Sequence, residues 1–261
     1  LPNARARLDY RIAVLWHSTG GLKLGLEWAG LGPVKWQVEI DPFCRKVLAK
    51  HWPNVTRYED IRNVGKHNLE PVDLICGGFP CQDISYAGKG AGLSGERSGL
   101  WYEYARIIGE MEPRYVVVEN VAALLNRGMR EVLGTLASLG YDAEWDVISA
   151  SQLGAPHQRE RVWIIAYPFQ RMWKGGRLSN KINVEKLVCG WQAEEVSSLV
   201  CCLRDDCITN RRSLRSDDGF QEAIHRIECL GNAVVPQVAQ VIGEMIKQFE
   251  ETDGRNHVSA G

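Results

Sequence analysis

Apolar residues come in short blocks separated by amphipathic stretches, and the alternation is regular as far as residue 166. Residues 12–16, 36–40, 72–76, 115–119, 144–148 and 162–166 are strand-length blocks rich in β-branched side chains. Between them, residues 22–29, 43–51, 100–111 and 129–139 carry apolar side chains at helical spacing. Strand–helix alternation of this kind predicts an α/β fold, with a mostly parallel open sheet covered by helices on both faces. After Ala166 the rhythm stops. Residues 169–225 keep no period of 2 or 3.6 and hold four of the eight cysteines. The helical pattern resumes with Val238, Val241, Ile242, Met245, Ile246 and Phe249, just after Pro236, a residue tolerated in a first helical turn. The expected division is a large domain over 1–168, a small irregular module over 169–225, and a segment over 226–261 whose helix returns to the large domain. Residues 252–261 read as a frayed tail.

Composition narrows the class. The chain has 261 residues, 45% apolar and 24% charged, which excludes disordered, fibrous and collagen-like proteins. No apolar run reaches the ~18 residues of a membrane span. Arg5, Arg7 and Arg11 precede an apolar block too short for a signal sequence. With no Met at position 1, the chain reads as a fragment, a processed product or a recoded one. A net charge of −1 rules out a wholly basic nucleic-acid coat and leaves room for a local basic groove. Eight cysteines without regular spacing or a secretory signal predict reduced thiols in a cytoplasm. Cys201, Cys202 and Cys207 lack paired zinc spacing, so no metal is expected.

Four segments could carry chemistry. Gly77-Gly78-Phe79-Pro80-Cys81-Gln82 follows the block at 72–76, at the strand end where α/β proteins bind ligands. Two glycines and a proline fix the backbone there, which suits Cys81 as a nucleophile. Cys76, inside the strand, reads as a structural thiol. Glu119-Asn120 ends the block at 115–119; a half-buried Glu119 can have a raised pKa and move a proton, or can be an ordinary helix-start acid. Arg159 and Arg161, at i and i+2, would share one face of an extended chain and could hold an anion or a base edge, or be a solvated charge run. The turn Trp16–Gly21 enters a helix through Gly20 and Gly21, a common nucleotide position, and Glu39 ends the next strand, where a carboxylate could grip a ribose.

Together these segments resemble the DNA cytosine-5 methyltransferases, in particular short bacterial or prophage members. Gly78-Phe79-Pro80-Cys81-Gln82 resembles the family's nucleophile motif and Glu119-Asn120-Val121 its Glu-Asn-Val motif. Arg159-Glu160-Arg161 resembles its Gln-x-Arg-x-Arg motif, with His157 where Gln is commonest. Gly231-Asn232-Ala233-Val234-Val235-Pro236 resembles its last block. The matches stand in family order and span nearly the whole chain outside 169–225. In two places the chain departs from the pattern. Val14 to Gly21 stand where the family reads Asp-Leu-Phe-x-Gly-x-Gly-Gly, so that Ser18 replaces a glycine, and the region of the target-recognition domain is short.

The resemblance implies a Rossmann-like methyltransferase sheet and transfer of a methyl group from S-adenosylmethionine to carbon 5 of a flipped-out cytosine, through a covalent Cys81 adduct. It implies Cys81, Glu119, Arg159 and Arg161 as catalytic residues. It implies cofactor contacts from Trp16, Ser18, Gly20, Gly21, Glu39, Ile40, Asp60, Ile61, Pro80, Leu100, Asn232 and Val234. Gln82, Asn120, Lys89 and Arg97 would touch the substrate, the last two from a glycine-rich loop over 83–99 able to close over DNA. Arg211, Arg212 and Arg215 could meet phosphates. The expected partner is double-stranded DNA, the expected state a monomer, and the expected place a bacterial or phage-host cytoplasm. For the three motifs to converge, the strand at 162–166 must run opposite to its neighbours; a parallel strand would put Arg161 at the far edge. Two other readings stand beside this one. A DNA-binding relic without catalysis is suggested by Ser18 and the short 169–225 region. An RNA cytosine methyltransferase is disfavoured because Cys229-Leu230-Gly231 does not match the Cys-Phe-Thr of the tRNA-acting branch.

Overall fold

The computed structural model describes residues 8–16, 20–80, 99–169, 229 and 232–258. These form a sheet of seven strands: β1 (Leu8–Leu15), β2 (Leu31–Val38), β3 (Thr56–Tyr58), β4 (Leu74–Gly77), β5 (Tyr115–Val121), β6 (Tyr141–Ser149) and β7 (Glu160–Pro168). The helices are α1 (Gly21–Trp28), α2 (Pro42–His51), α3 (Leu100–Met111), α4 (Leu124–Arg127), α5 (Met129–Ser138) and α6 (Pro236–Val258), with 3-10 turns at Ile61–Asn63 and Ala150–Leu153. The strand order is β3-β2-β1-β4-β5-β7-β6. All neighbours as far as β5 run parallel, and β7 is antiparallel to both β5 and β6. The expected single reversed strand is therefore present. The chain winds outward from β1 in one direction and then from β4 in the other, so the crevice between them opens at the carboxyl ends of β1, β4 and β5.

The central strands are apolar throughout because both of their faces are covered. Ala13, Leu15, Val116, Val118, Val162 and Ile164 pack with Trp101, Tyr104, Ile108, Val132 and Leu136 of α3 and α5. The alternate positions Ile12, Val14, Tyr115, Val117, Trp163 and Ile165 pack with Leu22 and Leu26 of α1 and with Val238, Ile242 and Ile246 of α6. The seam between α1 and α6 is close: a Cβ added at Gly25 would lie 2.1 Å from the Pro236 carbonyl oxygen. Lys247, buried on α6, donates to the Ala29 carbonyl at 2.9 Å and satisfies a free carbonyl at the end of α1. Tyr115 donates to Glu250 at 2.7 Å, and Arg114 pairs with the same carboxylate at 2.8 Å.

Several boundaries differ from the sequence expectation. β2 starts at Leu31 rather than near 36, and so runs through Pro33. Its outer neighbour β3 pairs only with Trp36–Val38, so Pro33 removes no donor from that ladder. β2 also ends at Val38, leaving Glu39 just beyond it. β3 is a three-residue polar strand without an apolar block to announce it. β6 extends from 141 to 149 because the β7 ladder continues along its full length. No helix among the described residues is long and apolar enough to cross a membrane.

Candidate active site

The ladder between β5 and β7 builds the site. It places Val121 opposite Arg161 and Glu119 opposite Trp163. Paired residues of an antiparallel ladder present their side chains to the same face, so Glu119, Arg161 and Trp163 share one side of the sheet. Arg161 Nε lies 3.0 Å from Glu119 Oε1. The Arg161 Nη1 also donates to the Glu160 carbonyl at 2.8 Å. Arg159 reaches the site differently from the extended path that its spacing suggested. It precedes β7 with φ 38°, in the left-handed region, and its Nη2 donates to the Ala233 carbonyl. The second arginine thus ties the strand entry to the segment leading into α6.

Glu119 is 8% exposed. Burial pushes its carboxyl up from the ordinary value, against the opposing pull of Arg161 and Arg159. A carboxyl balanced in this way can hold or release a proton, which is what general acid–base chemistry requires. A small cleft opens beside it, lined by Glu119, Ile148, Arg159, Arg161, Trp163, Val234, Val235 and Val238. One wall is therefore charged and the other is the apolar entry to α6.

Asn120 points the other way. Its Nδ2 donates to the Phe79 carbonyl at 3.1 Å, while its Oδ1 accepts from the Val121 amide at 2.9 Å. Phe79 is buried, with its ring 5.3 Å from that of Trp101. Asn120 therefore anchors the backbone immediately before Pro80, from which the chain proceeds to position 81. Cys76 behaves as a core thiol, fully buried and 3.3 Å from the Ala13 carbonyl. Cys81, Gln82, Lys89, Arg97 and Ser18 lie outside the described residues, as do Arg211, Arg212 and Arg215.

The remaining candidates line the crevice edge. Trp16 is half-buried at φ 49°, its ring 6.0 Å from that of Tyr104. Gly20 has φ 88°, and the turn enters α1 at Gly21, where a Cβ would strike the Val234 carbonyl. Glu39 is buried, its Oε1 accepting from the Asp41 amide at 2.9 Å, and the adjacent Ile40 is 56% exposed. A buried carboxylate beside an uncovered isoleucine and a half-buried tryptophan suits the diol and the flat base of a nucleoside, so these residues fit the adenosyl part of S-adenosylmethionine. Asp60 caps the turn at Ile61–Asn63, and the Arg62 guanidinium at 2.6 Å holds its carboxyl below the usual range. Ile61 is 1% exposed and sits in the core, so its side chain is not available to a ligand. Leu100 packs against the same cluster, Pro80 is partly exposed, Val234 is buried and Asn232 is exposed.

Two groupings escaped the sequence. Trp163 falls two residues after Arg161 on one strand, so strict alternation could have assigned it to the site face. Asp41, Cys44 and Cys229 bring their ligand atoms within 4.8 Å of one another, the two sulfurs 3.5 Å apart. Asp41 Oδ1 already accepts from the amides of Phe43 and Cys44 at the start of α2, and burial pushes the Cys44 thiol up. No spacing rule could join residues 185 positions apart.

The chain is similar to known proteins. The chain is 37% identical over 166 residues to the Type II methyltransferase M.Eco47II of Escherichia coli, covering 60% of this chain and 39% of that protein. It is 34% identical over 168 residues to the Type II methyltransferase M2.BsuMI of Bacillus subtilis, covering 61% and 42%. The chain therefore spans about two fifths of the length of these curated relatives. Among solved structures it is similar to a prophage-encoded DNA modification methyltransferase of E. coli. That match has 27% identity and a TM-score of 0.51, covering 61% of this chain and 47% of the other. It shares its fold with Spodoptera frugiperda DNMT2, at 21% identity and a TM-score of 0.56, over 65% and 53% of the two chains. The family described as C-5 cytosine-specific DNA methylase matches residues 10–195, a stretch that runs from within β1 through β7 and includes the Glu119–Arg161 pair, and the chain belongs to it.

Proposed function

We propose that this chain methylates carbon 5 of cytosine in double-stranded DNA, using S-adenosylmethionine and a transient covalent bond from Cys81. The observation that carries the reading is the convergence of Glu119, Arg159 and Arg161 on one cleft, on the sheet edge to which Asn120 fastens the backbone before Cys81. Its relatives' names as Type II methyltransferases support DNA as the substrate.

Carbon 5 of cytosine is a weak nucleophile, and the base lies inside the duplex, so it must be flipped out to be reached. Addition of the Cys81 thiolate to carbon 6 breaks the 5,6 double bond and pushes electrons toward N3. Glu119, kept protonatable by burial, supplies the proton at N3 and pairs with the exocyclic amine. Arg161 steadies the carboxyl and reaches the base carbonyl. The bound cofactor supplies the methyl group that carbon 5 takes. The carbon-5 proton then passes to water, the N3 proton returns to the Glu119 carboxylate, and the restored 5,6 double bond expels Cys81 as thiolate. Target choice falls to residues 169–225, and the site of action is the cytoplasm of a bacterium or phage host.

The test is transfer of labelled methyl groups from S-adenosylmethionine to unmethylated duplex DNA, with a tRNA pool as the competing substrate. Labelled 5-methylcytosine in DNA, lost in Cys81→Ala, is the expected result. DNA carrying 5-fluorocytosine should trap the chain covalently, because fluorine cannot leave as the proton does. Label in tRNA alone, or DNA binding without transfer, would overturn the proposal.

A further inference from the structure

The cluster of Asp41, Cys44 and Cys229 has no task in the reaction above, and none of its members lines the cleft beside Glu119. Asp41 caps α2, Cys44 stands three residues on, and Cys229 comes from the chain before α6. Their ligand atoms lie within 4.8 Å of one another, and the two sulfurs are 3.5 Å apart. Both cysteines are buried and Asp41 is half-buried. Cys76 shows what an ordinary core thiol does in this fold: it donates to a backbone carbonyl, and burial alone raises it. Cys44 differs. Burial, the Glu39 carboxylate, Cys229 and Asp41 all push its thiol up, so the neighbouring groups all favour a cation there. Arg45, the nearest cation along the chain, donates to the Glu39 and Ile40 carbonyls and pairs with Glu59 instead. Two buried sulfurs and a carboxylate gathered in this way are matched to a positive ion.

We propose that Asp41, Cys44 and Cys229 form a binding site for a thiophilic divalent cation of the zinc class. Two thiolates and one carboxylate suit such an ion, whereas magnesium and calcium take oxygen ligands. A tetrahedral ion with zinc–sulfur bonds of about 2.3 Å holds its sulfurs about 3.8 Å apart, so this pair needs little movement to receive it. A disulfide would require the sulfurs to close to about 2.05 Å. Asp41 caps α2 through Oδ1, and a carboxylate offers two oxygens with about four acceptor positions, so capping and ligation are compatible. Each thiol gives its proton to solvent as the ion binds, and water completes the tetrahedron on the half-buried Asp41 side. The ion ties the corner between β2 and α2, which carries Glu39, to a segment 185 positions further along the chain. This site is separate from the proposed methyl transfer, and either can hold without the other.

The experiment uses the full chain, reduced with a phosphine, cleared of metal by a chelator and titrated with zinc or cobalt ions alone. We expect one zinc ion per chain, a melting temperature higher by several degrees at saturation, and a cobalt spectrum with thiolate charge-transfer bands. X-ray absorption of the zinc-loaded chain should count two sulfurs and lighter atoms around the ion. Cys44→Ser and Cys229→Ser should each weaken zinc by at least about a hundredfold, and Asp41→Asn should weaken it while the two sulfurs remain. A chain with Cys81, Cys189, Cys201, Cys202 and Cys207 all replaced by alanine keeps Cys44, Cys76 and Cys229 and should bind zinc as the parent does. If the serine variants do not fold, X-ray absorption of that five-alanine chain supplies the test. Zinc binding that survives loss of both sulfurs, zinc lost in the five-alanine chain, or a folded parent that binds no zinc overturns the inference. A parent that binds no zinc but closes a Cys44–Cys229 disulfide when treated with a small disulfide oxidant has a redox thiol pair there instead, which also overturns it.

Discussion

Removing Arg161 should expose the electrostatic balance on which the site depends. Glu119 is almost wholly buried, and Arg161 Nε at 3.0 Å is its closest cation. Breaking a buried pair by deleting one partner costs about 3–5 kcal/mol, because the remaining charge is left without compensation. Glu119 can escape part of that cost by taking up a proton, so the cost must depend on pH. In the folded parent chain burial already raises the Glu119 carboxyl above its ordinary 4.5. A raised carboxyl means that the native state holds more protons than the unfolded one between 4.5 and its folded value. Stability therefore falls as pH rises through that window, by up to about 1.4 kcal/mol per pH unit. In Arg161→Ala the folded value climbs further and the window widens upward. Below pH about 4.5 the carboxyl is neutral in both proteins, and the electrostatic penalty disappears. Urea unfolding at pH 5 and pH 8 measures this. We expect Arg161→Ala to be destabilised by about 3 kcal/mol at pH 8, with a melting temperature lower by roughly 6–12 °C, and by much less at pH 5. A cost of the same size at both pH values would show that Arg161 acts through packing, and would refute the assignment of Glu119 as a carboxyl held near its proton-transfer range.

Two further predictions concern Glu39 and Lys23. Glu39→Ala should weaken S-adenosylmethionine binding by about 1.5–3 kcal/mol, roughly tenfold to a hundredfold, in a calorimetric titration; unchanged affinity would remove Glu39 from the ribose site. Lys23, buried on α1 beneath the Trp52 ring and 3.7 Å from Glu27, has its pKa lowered to about 8 by burial. The folded value lies below the unfolded 10.5, so the parent gains stability as pH rises from about 8 to 10.5. Lys23→Met should be more stable than the parent at pH 7 by about 3 kcal/mol, with the advantage shrinking across that range in chemical unfolding; a constant difference would contradict the depressed pKa.

The sequence alone determined the sheet and most of its order of elements. Apolar blocks such as 115–118 and 162–166 can be satisfied only by a strand covered on both sides, and the helical spacing between blocks supplies the covers. The reversal of β7 was also legible, because a site containing both Glu119 and Arg161 leaves no other direction for that strand. Motif order then pointed to the family, which needs no coordinates. What the sequence could not supply were relations between distant residues. Ile61 stands in a candidate cofactor motif, yet its side chain fills the core, because the turn that begins at Asp60 faces it inward. Arg159 looked like the strand partner of Arg161, but positive φ turns it toward Ala233, a residue 74 positions away. Asn120, expected from the motif to touch the substrate, also clamps the backbone at Phe79, a link that no local pattern announces. Trp163 looked like one more apolar residue of a buried strand. Only the ladder opposite Glu119 and the entry to α6 set that residue beside the charged wall of the site, since local pattern specifies burial while the neighbours of a buried side chain are decided by the whole fold.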